Sequence, residues 1–209
     1  MTVTLHPGFR DRVHDAQRTF RTLLDALAHP GQVGQIGPRL TPPPGLGSGC
    51  AAACLTLLDL ETRLWLEPGL GAEPGLDTEI AAWLVFHTGC RMVRSPAQAD
   101  FAVMGGQGEC PDLDAFCWGT ADYPEASTTV LLQVAGLSGG EPIVLRGPGI
   151  KTEQAIAPQV PQGFWEQWVA NHRAYPMGID VFLFADDQVM GLPRTAAAFS
   201  SRAAEPQSA

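Results

Sequence analysis

The sequence predicts an α/β fold in which a mixed β-sheet is covered by helices on both faces. Helix-type and strand-type hydrophobic patterns alternate between residues 48 and 174, which favours parallel strands joined by helices. Near the end, residues 181 to 185 and 188 to 190 flank Asp186 and Asp187, a pattern typical of a hairpin. The hairpin adds an antiparallel pair, so the predicted sheet is mixed rather than wholly parallel.

The first predicted helix covers residues 11 to 28. Its apolar residues recur at steps of three and four and should form one stripe: Val13, Ala16, Phe20, Leu23, Leu24 and Leu27. His29, Pro30 and Gly31 end the helix, because proline disfavours helical geometry in the residue before it and glycine turns with positive φ. A loop rich in glycine and proline follows over residues 32 to 47.

The middle of the chain supplies the other helices and most strands. Ser48 is the predicted N-cap of a helix reaching about residue 60, and Asp77 that of a helix ending before Gly89. A short helix over residues 111 to 118 and a last helix over 164 to 174 complete the set. The predicted strands are residues 63 to 66, 90 to 93, 101 to 104, 128 to 134 and 143 to 146.

These elements are expected to form one domain over residues 1 to 195. A chain of this length buries roughly 70% of its unfolded surface in a single core, and no segment resembles a long linker. Residues 196 to 209 are rich in Ala, Ser and Pro, and we expect a disordered tail there.

Composition and charge exclude several classes of partner. The 209 residues carry a net charge of −9 with a pI near 4.9, whereas non-specific binding to nucleic acid or to anionic membranes needs clustered Lys and Arg. No apolar run approaches the ~20 residues of a membrane-spanning helix. The first twelve residues lack the apolar core of a secretory signal, so we expect a cytoplasmic protein with reduced thiols.

Cysteines and catalytic motifs give no sign of a metal site or a reaction centre. Five cysteines, at positions 50, 54, 90, 110 and 117, show neither CxxC nor zinc-type Cys/His spacing. Cys50 and Cys54 are predicted to share a buried helix face. The sequence has no GxxxxGK[ST] loop, no GxGxxG after a strand and no GxSxG elbow. We therefore predict no metal and no cofactor, and we assign no catalytic residue.

The polar candidates for binding or assembly are Arg21, His29, Arg146, Asp180 and Arg194. Arg146 ends a predicted strand, where α/β folds build ligand crevices, and an arginine can hold phosphate bidentately. Arg194 can equally pair with Asp180 in a structural ion pair or in a subunit contact. His29 has a plainer explanation as a helix C-terminal residue favoured by the helix dipole.

Two tryptophans of the last helix are further candidates. Trp165 and Trp168 stand beside Phe164 and precede Asn171 and Tyr175, several of which share one helix face. Core packing is one interpretation. Interface anchoring is the other, because tryptophan and tyrosine are frequent interface hot spots.

Four segments together give the chain a family resemblance. They are FRTLLDALAHPG at 20 to 31, LRGPGI at 145 to 150, YPMGID at 175 to 180 and GLPRT at 191 to 195. As a set they resemble PhnH, the H subunit of the bacterial carbon–phosphorus lyase core complex, and the resemblance spans roughly residues 9 to 195. It implies a fold like the large domain of pyridoxal-phosphate-dependent transferases without the cofactor site. The single lysine, Lys151, follows a Gly/Pro loop, which does not suit a Schiff-base lysine.

The resemblance also implies a function. It implies a homodimer that joins the G, I and J subunits in a complex that makes ribose 1-alkylphosphonate 5-triphosphate from ATP and an alkylphosphonate, with release of adenine. This chain is then an accessory subunit without an active site of its own. The cysteine spacing does not fit an iron–sulfur cluster. Two alternatives stay open: a stand-alone transferase that grips a phosphate-rich ligand with Arg146 and Arg194, and a phosphonate-binding module.

Overall fold

A computed structural model describes residues 6–70, 76–106 and 109–200. The helices are α1 (Arg12–Ala28), α2 (Ser48–Leu57), α3 (Leu76–Thr88) and α4 (Phe164–Arg173). The strands are β1 (Val33–Gln35), β2 (Arg63–Leu66), β3 (Arg91–Met92), β4 (Phe101–Gly105), β5 (Thr129–Gln133), β6 (Ile143–Arg146), β7 (Gln154–Ile156), β8 (Asp180–Ala185), β9 (Gln188–Leu192) and β10 (Ala197–Ser200).

The main sheet has seven strands in the order β1-β9-β8-β5-β4-β2-β3. Strands β3, β2, β4, β5 and β8 are parallel, and β9 runs antiparallel to both of its neighbours. A second, three-stranded antiparallel sheet has the order β10-β6-β7. The predicted mixed sheet and the terminal hairpin of β8 and β9 are therefore confirmed.

The sheet is buried on both faces, because successive side chains of its central strands enter two different cores. In β5, Leu131 lies in a core shared with α1, α2 and α3. Its neighbours Val130 and Leu132 lie in the opposite core, which α4 and the small sheet cover. Helices thus lie on both faces, as predicted, and central strands enclosed in this way are continuously apolar.

Helix α1 corrects the predicted apolar stripe. The face turned to the core carries Asp15, Thr19, Leu23 and Ala26, whereas the large side chains Val13, Phe20 and Leu24 are 50–72% exposed. Two of the buried residues are polar because they serve the helix itself. The Asp15 carboxylate accepts the Asp11 N–H, and the Thr19 hydroxyl donates to the Asp15 carbonyl. The chain therefore uses one part of a broader apolar arc and leaves the rest in solvent.

Helix α2 lies close to its neighbours because its residues are small. Gly49 through Cys54 are buried, and Cys50 and Cys54 do share the buried face, as predicted. Gly47 is the N-cap, not Ser48, whose hydroxyl instead accepts the Leu40 N–H. Strand β9 also packs closely against α1. This packing requires glycine at position 191, because a Cβ there would lie 2.4 Å from the Ala26 carbonyl oxygen of α1.

Several boundaries differ from the prediction. Strand β1 lies in the predicted loop of residues 32 to 47, β7 was not anticipated, and Asp77 lies within α3 instead of capping it. Only a 3-10 turn, Leu113–Ala115, replaces the short helix over 111 to 118. Ala197–Ser200 pairs with β6, so this part of the predicted disordered tail is a strand, while 201 to 209 lie outside the described residues. Within the described ranges, no helix is both long and apolar enough to cross a membrane.

One buried amide holds the connection between α4 and β8. The Asn171 side chain donates to the Ile179 carbonyl at 2.9 Å and accepts the Ile179 N–H at 2.8 Å, with all three groups buried. Gly178 has φ +119°, and a Cβ there would lie 2.7 Å from the Asn171 Oδ1. The Asn171 amide therefore takes the place of a backbone partner for the N–H and the carbonyl of Ile179, in the turn that leads into β8.

Replacing Asn171 should destabilise the fold strongly. Asn171→Ala leaves the Ile179 N–H and carbonyl buried without partners, so we expect the free energy of unfolding to fall by about 2–4 kcal/mol. Urea denaturation followed by circular dichroism measures it. Gln17→Ala, at an exposed position of α1, is the control and should change stability by less than about 0.5 kcal/mol. A similarly small loss for Asn171→Ala would contradict this role.

Candidate functional site

Two of the predicted site residues, Asp180 and Arg194, meet at the amino ends of the parallel strands. Asp180 is the first residue of β8, and Arg194 follows the end of β9 by two residues. Pro193 fixes the backbone just before Arg194. The hairpin register places Val181 opposite Leu192, so the two charged side chains emerge from adjacent strands at the same end.

The Arg194 guanidinium binds four different groups. Its Nε and Nη2 donate to the two Asp180 carboxylate oxygens at 3.2 and 2.6 Å, and Nη2 also donates to the Ser127 hydroxyl. Its Nη1 donates to the Pro124 carbonyl at 2.9 Å and, more weakly, to the Pro176 carbonyl at 3.5 Å. The Arg194 backbone N–H donates to Asp180 at 2.7 Å. This cluster joins three segments: the turn before β5, the turn before β8 and the exit from β9.

This geometry supports a structural role for Arg194. The residue is only 9% exposed, and its planar group of five N–H donors is engaged by the protein itself. A phosphate would have to displace Asp180 and leave that carboxylate partly buried without its partner. The cleft beside the cluster, lined by Tyr175, Pro176 and Glu125, is about 470 Å³ in volume. Arg194 forms part of its wall and does not offer it a free guanidinium edge.

Arg146 ends a strand with the predicted bounds, but that strand lies outside the main sheet. It ends β6 in the small antiparallel sheet, away from the carboxyl ends of the parallel strands. Its side chain is more than half exposed, pairs with Glu153 and lies 5.2 Å from the centre of the Phe199 ring. The expectation drawn from parallel strand ends therefore does not apply to Arg146, because β6 belongs to the antiparallel sheet, and a binding or assembly role for Arg146 stays a prediction.

Arg21 and His29 both lie on the surface of α1. His29 is the C-cap residue, and its ring Nδ1 lies 3.1 Å from the Asp25 carbonyl oxygen. Arg21 is exposed on the same helix. The described contacts connect neither residue to the Arg194 cluster, so an assembly role for either stays a prediction.

The two candidate tryptophans are buried within the chain. Trp168 is fully enclosed, its indole N–H donates to the Ala196 carbonyl at 2.9 Å, and its ring stacks on Phe164. Trp165 is 9% exposed and packs edge-on against Phe164. Of the two interpretations, the burial of both tryptophans favours core packing over interface anchoring. The apolar face of α4 is needed to cover one side of the main sheet.

The thiols are free and mostly internal. Cys50, Cys54 and Cys90 are buried, and Cys110 and Cys117 are half-buried. A hydrogen bond from Cys50, together with burial, holds the pKa of Cys54 well above its usual value, which disfavours the thiolate that metals and oxidants require. Among the described residues, no group of three or more His, Cys, Asp or Glu side chains has a metal-binding arrangement.

A crevice at the carboxyl ends of the parallel strands, opposite the Arg194 cluster, was not predicted. It opens where β2, β4 and β5 end, and it is lined by Glu67, Leu70, Gly105, Gly106 and Gln133. The Glu67 carboxylate accepts the Gly105 N–H at 2.7 Å, and burial raises the pKa of that carboxyl. Gln133 accepts the Gly47 N–H at 2.6 Å and donates to the Gly45 carbonyl. A usable sequence signal existed: Glu67 and Gly105 directly follow predicted strands, and Gln133 is the second-last residue of another.

Comparison with known proteins gives concordant matches. The family model described as bacterial phosphonate metabolism protein (PhnH) matches residues 7–198. The chain is 39% identical over 189 residues, 90% of its length and 92% of the relative's, to the alpha-D-ribose 1-methylphosphonate 5-triphosphate synthase subunit PhnH of Rhizobium meliloti (strain 1021). It is 33% identical over 78 residues, 37% of its length and 40% of the relative's, to the putative C-P lyase subunit protein HtxG of Stutzerimonas stutzeri.

Breaking the Arg194 pair should cost stability. Arg194→Ala leaves the Asp180 carboxylate without its partner at a site where the two side chains are only 11% and 22% exposed. We expect the free energy of unfolding to fall by about 3–5 kcal/mol. The control Arg146→Ala removes an exposed ion pair and should cost less than about 1 kcal/mol.

A double-mutant cycle with Asp180→Ala separates the pair from the other contacts of Arg194. Equilibrium unfolding of both single variants and of the double variant should show a coupling of at least about 1.5 kcal/mol. Coupling close to zero would mean that the two side chains do not stabilise each other.

Proposed function

The chain belongs to the bacterial phosphonate metabolism protein family PhnH, and from this premise we propose that it is an accessory subunit of a carbon–phosphorus lyase core complex. The complex would form ribose 1-alkylphosphonate 5-triphosphate from ATP and an alkylphosphonate and release adenine. The chain itself would contribute assembly and stability, not a bond-making group. The G, I and J subunits are the proposed partners.

One observation carries this proposal: the similarity to a named synthase subunit extends over nine-tenths of both chains. The site geometry supports the accessory role. Arg146 and Arg194, the residues that a stand-alone transferase would use on a phosphate-rich ligand, are engaged by Glu153 and by Asp180. Neither the transferase nor a phosphonate-binding module receives support from these two residues.

The exposed part of α1 supports a contact role. Val13, Phe20 and Leu24 are spaced by seven and four residues, so they lie on one face of the helix. All three are at least half exposed, although the buried face of the same helix is centred only about a third of a turn away. Large apolar side chains grouped in solvent are characteristic of protein contacts. We assign this face to a partner subunit of the complex, and Arg21 lies beside it.

The remaining features of the proposal concern the oligomeric state, the cellular location and the domain organisation. A homodimer in isolation and a cytoplasmic location are part of the proposal, as is a single domain that extends past the predicted limit at residue 195, because Ala197–Ser200 pairs with β6. The mostly parallel seven-stranded sheet is compatible with the large domain of pyridoxal-phosphate-dependent transferases. Lys151 is exposed in the loop that connects β6 and β7, which supports use of that fold without covalent cofactor chemistry.

A charge on the exposed face of α1 should disrupt assembly without unfolding the chain. We expect Leu24→Asp to reduce co-purification with the G, I and J subunits at least tenfold, since a contact would have to bury an unpaired carboxylate. The thermal transition of the isolated variant should stay unchanged, because Leu24 is 56% exposed. Leu60→Asp makes the same change at a site that is 69% exposed and is the matched control. Equal recovery of both variants would remove α1 from the contact.

The isolated chain should not catalyse the reaction of the complex. We expect no phosphonate-dependent release of adenine when the pure chain is incubated with ATP and methylphosphonate, followed by chromatography. Addition of the G, I and J subunits should restore release, and omission of this chain should abolish or strongly reduce it. Adenine release by the pure chain alone would contradict the accessory role.

A further inference from the structure

The unpredicted crevice lies at the point of the sheet where the chain reverses its direction of winding. After β2 the chain passes to β3 on one side, and after β4 it passes to β5 on the other. Adjacent β2 and β4 are thus followed by connections that diverge. In open α/β sheets this divergence leaves a gap at the carboxyl ends of the two strands, and ligands bind there.

The walls of this crevice are built by the three strand ends. Residues 67–70 follow β2. Gly105 ends β4 and Gly106 follows it, and Gln133 ends β5 and residues 134–135 follow it. The enclosed volume is about 680 Å³, which lies within the range of small-molecule sites. Gly106 allows the walls to approach, because a Cβ there would lie 2.3 Å from the Gln133 carbonyl oxygen.

Hydrogen bonds hold the polar side chains of the crevice in place. Both ends of the Gln133 amide are used on the Gly45 to Gly47 segment, so this side chain shapes the wall. Glu67 is fixed by the Gly105 N–H, which occupies one of about four acceptor positions on its carboxylate. The apolar part of the wall comes from Pro68, Leu70 and Val134.

The charge around the crevice selects the kind of ligand. Glu67 is the one charged side chain among the described residues that line the crevice. Lys and Arg form the strongest hydrogen bonds to phosphate and phosphonate groups, and none of the described lining residues is a Lys or an Arg. A ligand that donates hydrogen bonds meets an acceptor in Glu67.

We propose that this crevice binds a small neutral or cationic molecule whose N–H groups donate to the Glu67 carboxylate while its apolar part packs on Leu70 and Val134. The proposal goes beyond an accessory role in assembly and stands independently of it. Burial already raises the pKa of Glu67, so a bound cation would favour the carboxylate form and relieve part of the cost of desolvation.

Three probes of equal shape test this site: benzamidine, benzamide and benzoate. They share one ring and differ in charge and in the number of N–H donors. Ligand-observed NMR titration of the full chain should give benzamidine a dissociation constant on the order of 1 mM, as is typical of ligands this small. Benzamide should bind more weakly, and benzoate should show no saturable binding.

Two substitutions locate the binding. Glu67→Gln keeps an acceptor for the Gly105 N–H but removes the charge, and we expect benzamidine affinity to fall about tenfold. Glu61→Gln is the matched control, because Glu61 is exposed at the opposite end of β2. Gly105→Ala places a methyl group 3.2 Å from Leu70 Cδ1 and 3.5 Å from Glu67 Oε2, so it should weaken all the probes that bind.

The outcomes decide the proposal in either direction. Preference for benzamidine that is lost in Glu67→Gln and retained in Glu61→Gln supports it, provided both variants keep the thermal transition of the parent chain. Equal binding of benzoate, equal effects of the two glutamate substitutions, or no saturable binding of any probe would overturn it.

Discussion

The ion pair between Arg194 and Asp180 holds together the amino ends of the central parallel strands. It joins three segments that are far apart in sequence: the turn of Pro124–Ala126 before β5, the entry to β8 and the exit from β9. Strands β5 and β8 are adjacent and parallel, so no direct hairpin sets their relative position. A guanidinium that binds both carboxylate oxygens and the neighbouring loop supplies that constraint. Asn171 and Trp168 act in the same region, since each binds backbone groups next to Asp180 or Arg194.

The amino and carboxyl ends of the parallel strands consequently differ in chemical character. At the amino ends, the Arg194 guanidinium is bound by groups of the protein itself, and these bonds connect the surrounding segments. At the carboxyl ends, the diverging connections leave an open crevice whose one charged side chain, among the described lining residues, is the Glu67 carboxylate. For Arg194 the sequence left a phosphate ligand and an ion pair with Asp180 as alternatives, and the geometry supports the ion pair. The proposed ligand of the crevice has the opposite charge preference.

Membership of the PhnH family agrees with this division of the molecule. A subunit that works through assembly needs a rigid core, a surface for its partners and no catalytic group of its own. The two apolar cores and the Arg194–Asp180 ion pair give the chain a rigid core. The exposed face of α1 is suited to contact with a partner. A binding crevice for an N–H donor is compatible with such a subunit, because the crevice lies at β2, β4 and β5 and α1 contacts β1 and β9 at the other side of the sheet.

The sequence by itself determined the class of the fold, the positions of most long elements and the family. Helix periodicity, β-branched runs and Gly/Pro turns are local signals, and they located α1, α4, β2, β6 and the terminal hairpin to within a few residues. The pairing of Asp180 with Arg194 was also within reach, because a hairpin brings its two ends together. The strands β1, β7 and β10 were beyond it, since each contains a single large apolar residue, whereas the equally short β2 and β6 contain three.

Only the tertiary structure decided which apolar surface is buried and where the crevice lies. The periodicity of α1 shows an apolar arc but not its rotation against the sheet, so Val13, Phe20 and Leu24 were assigned to a core that they do not enter. The aromatic residues of α4 were open to two interpretations until the sheet they cover was known. Strand order is not encoded locally, and it alone placed Arg146 in a separate sheet and Glu67 at the divergence of β2 and β4. The physical reason is that side-chain direction follows from local periodicity, whereas neighbours are set by the simultaneous burial of both faces of the sheet.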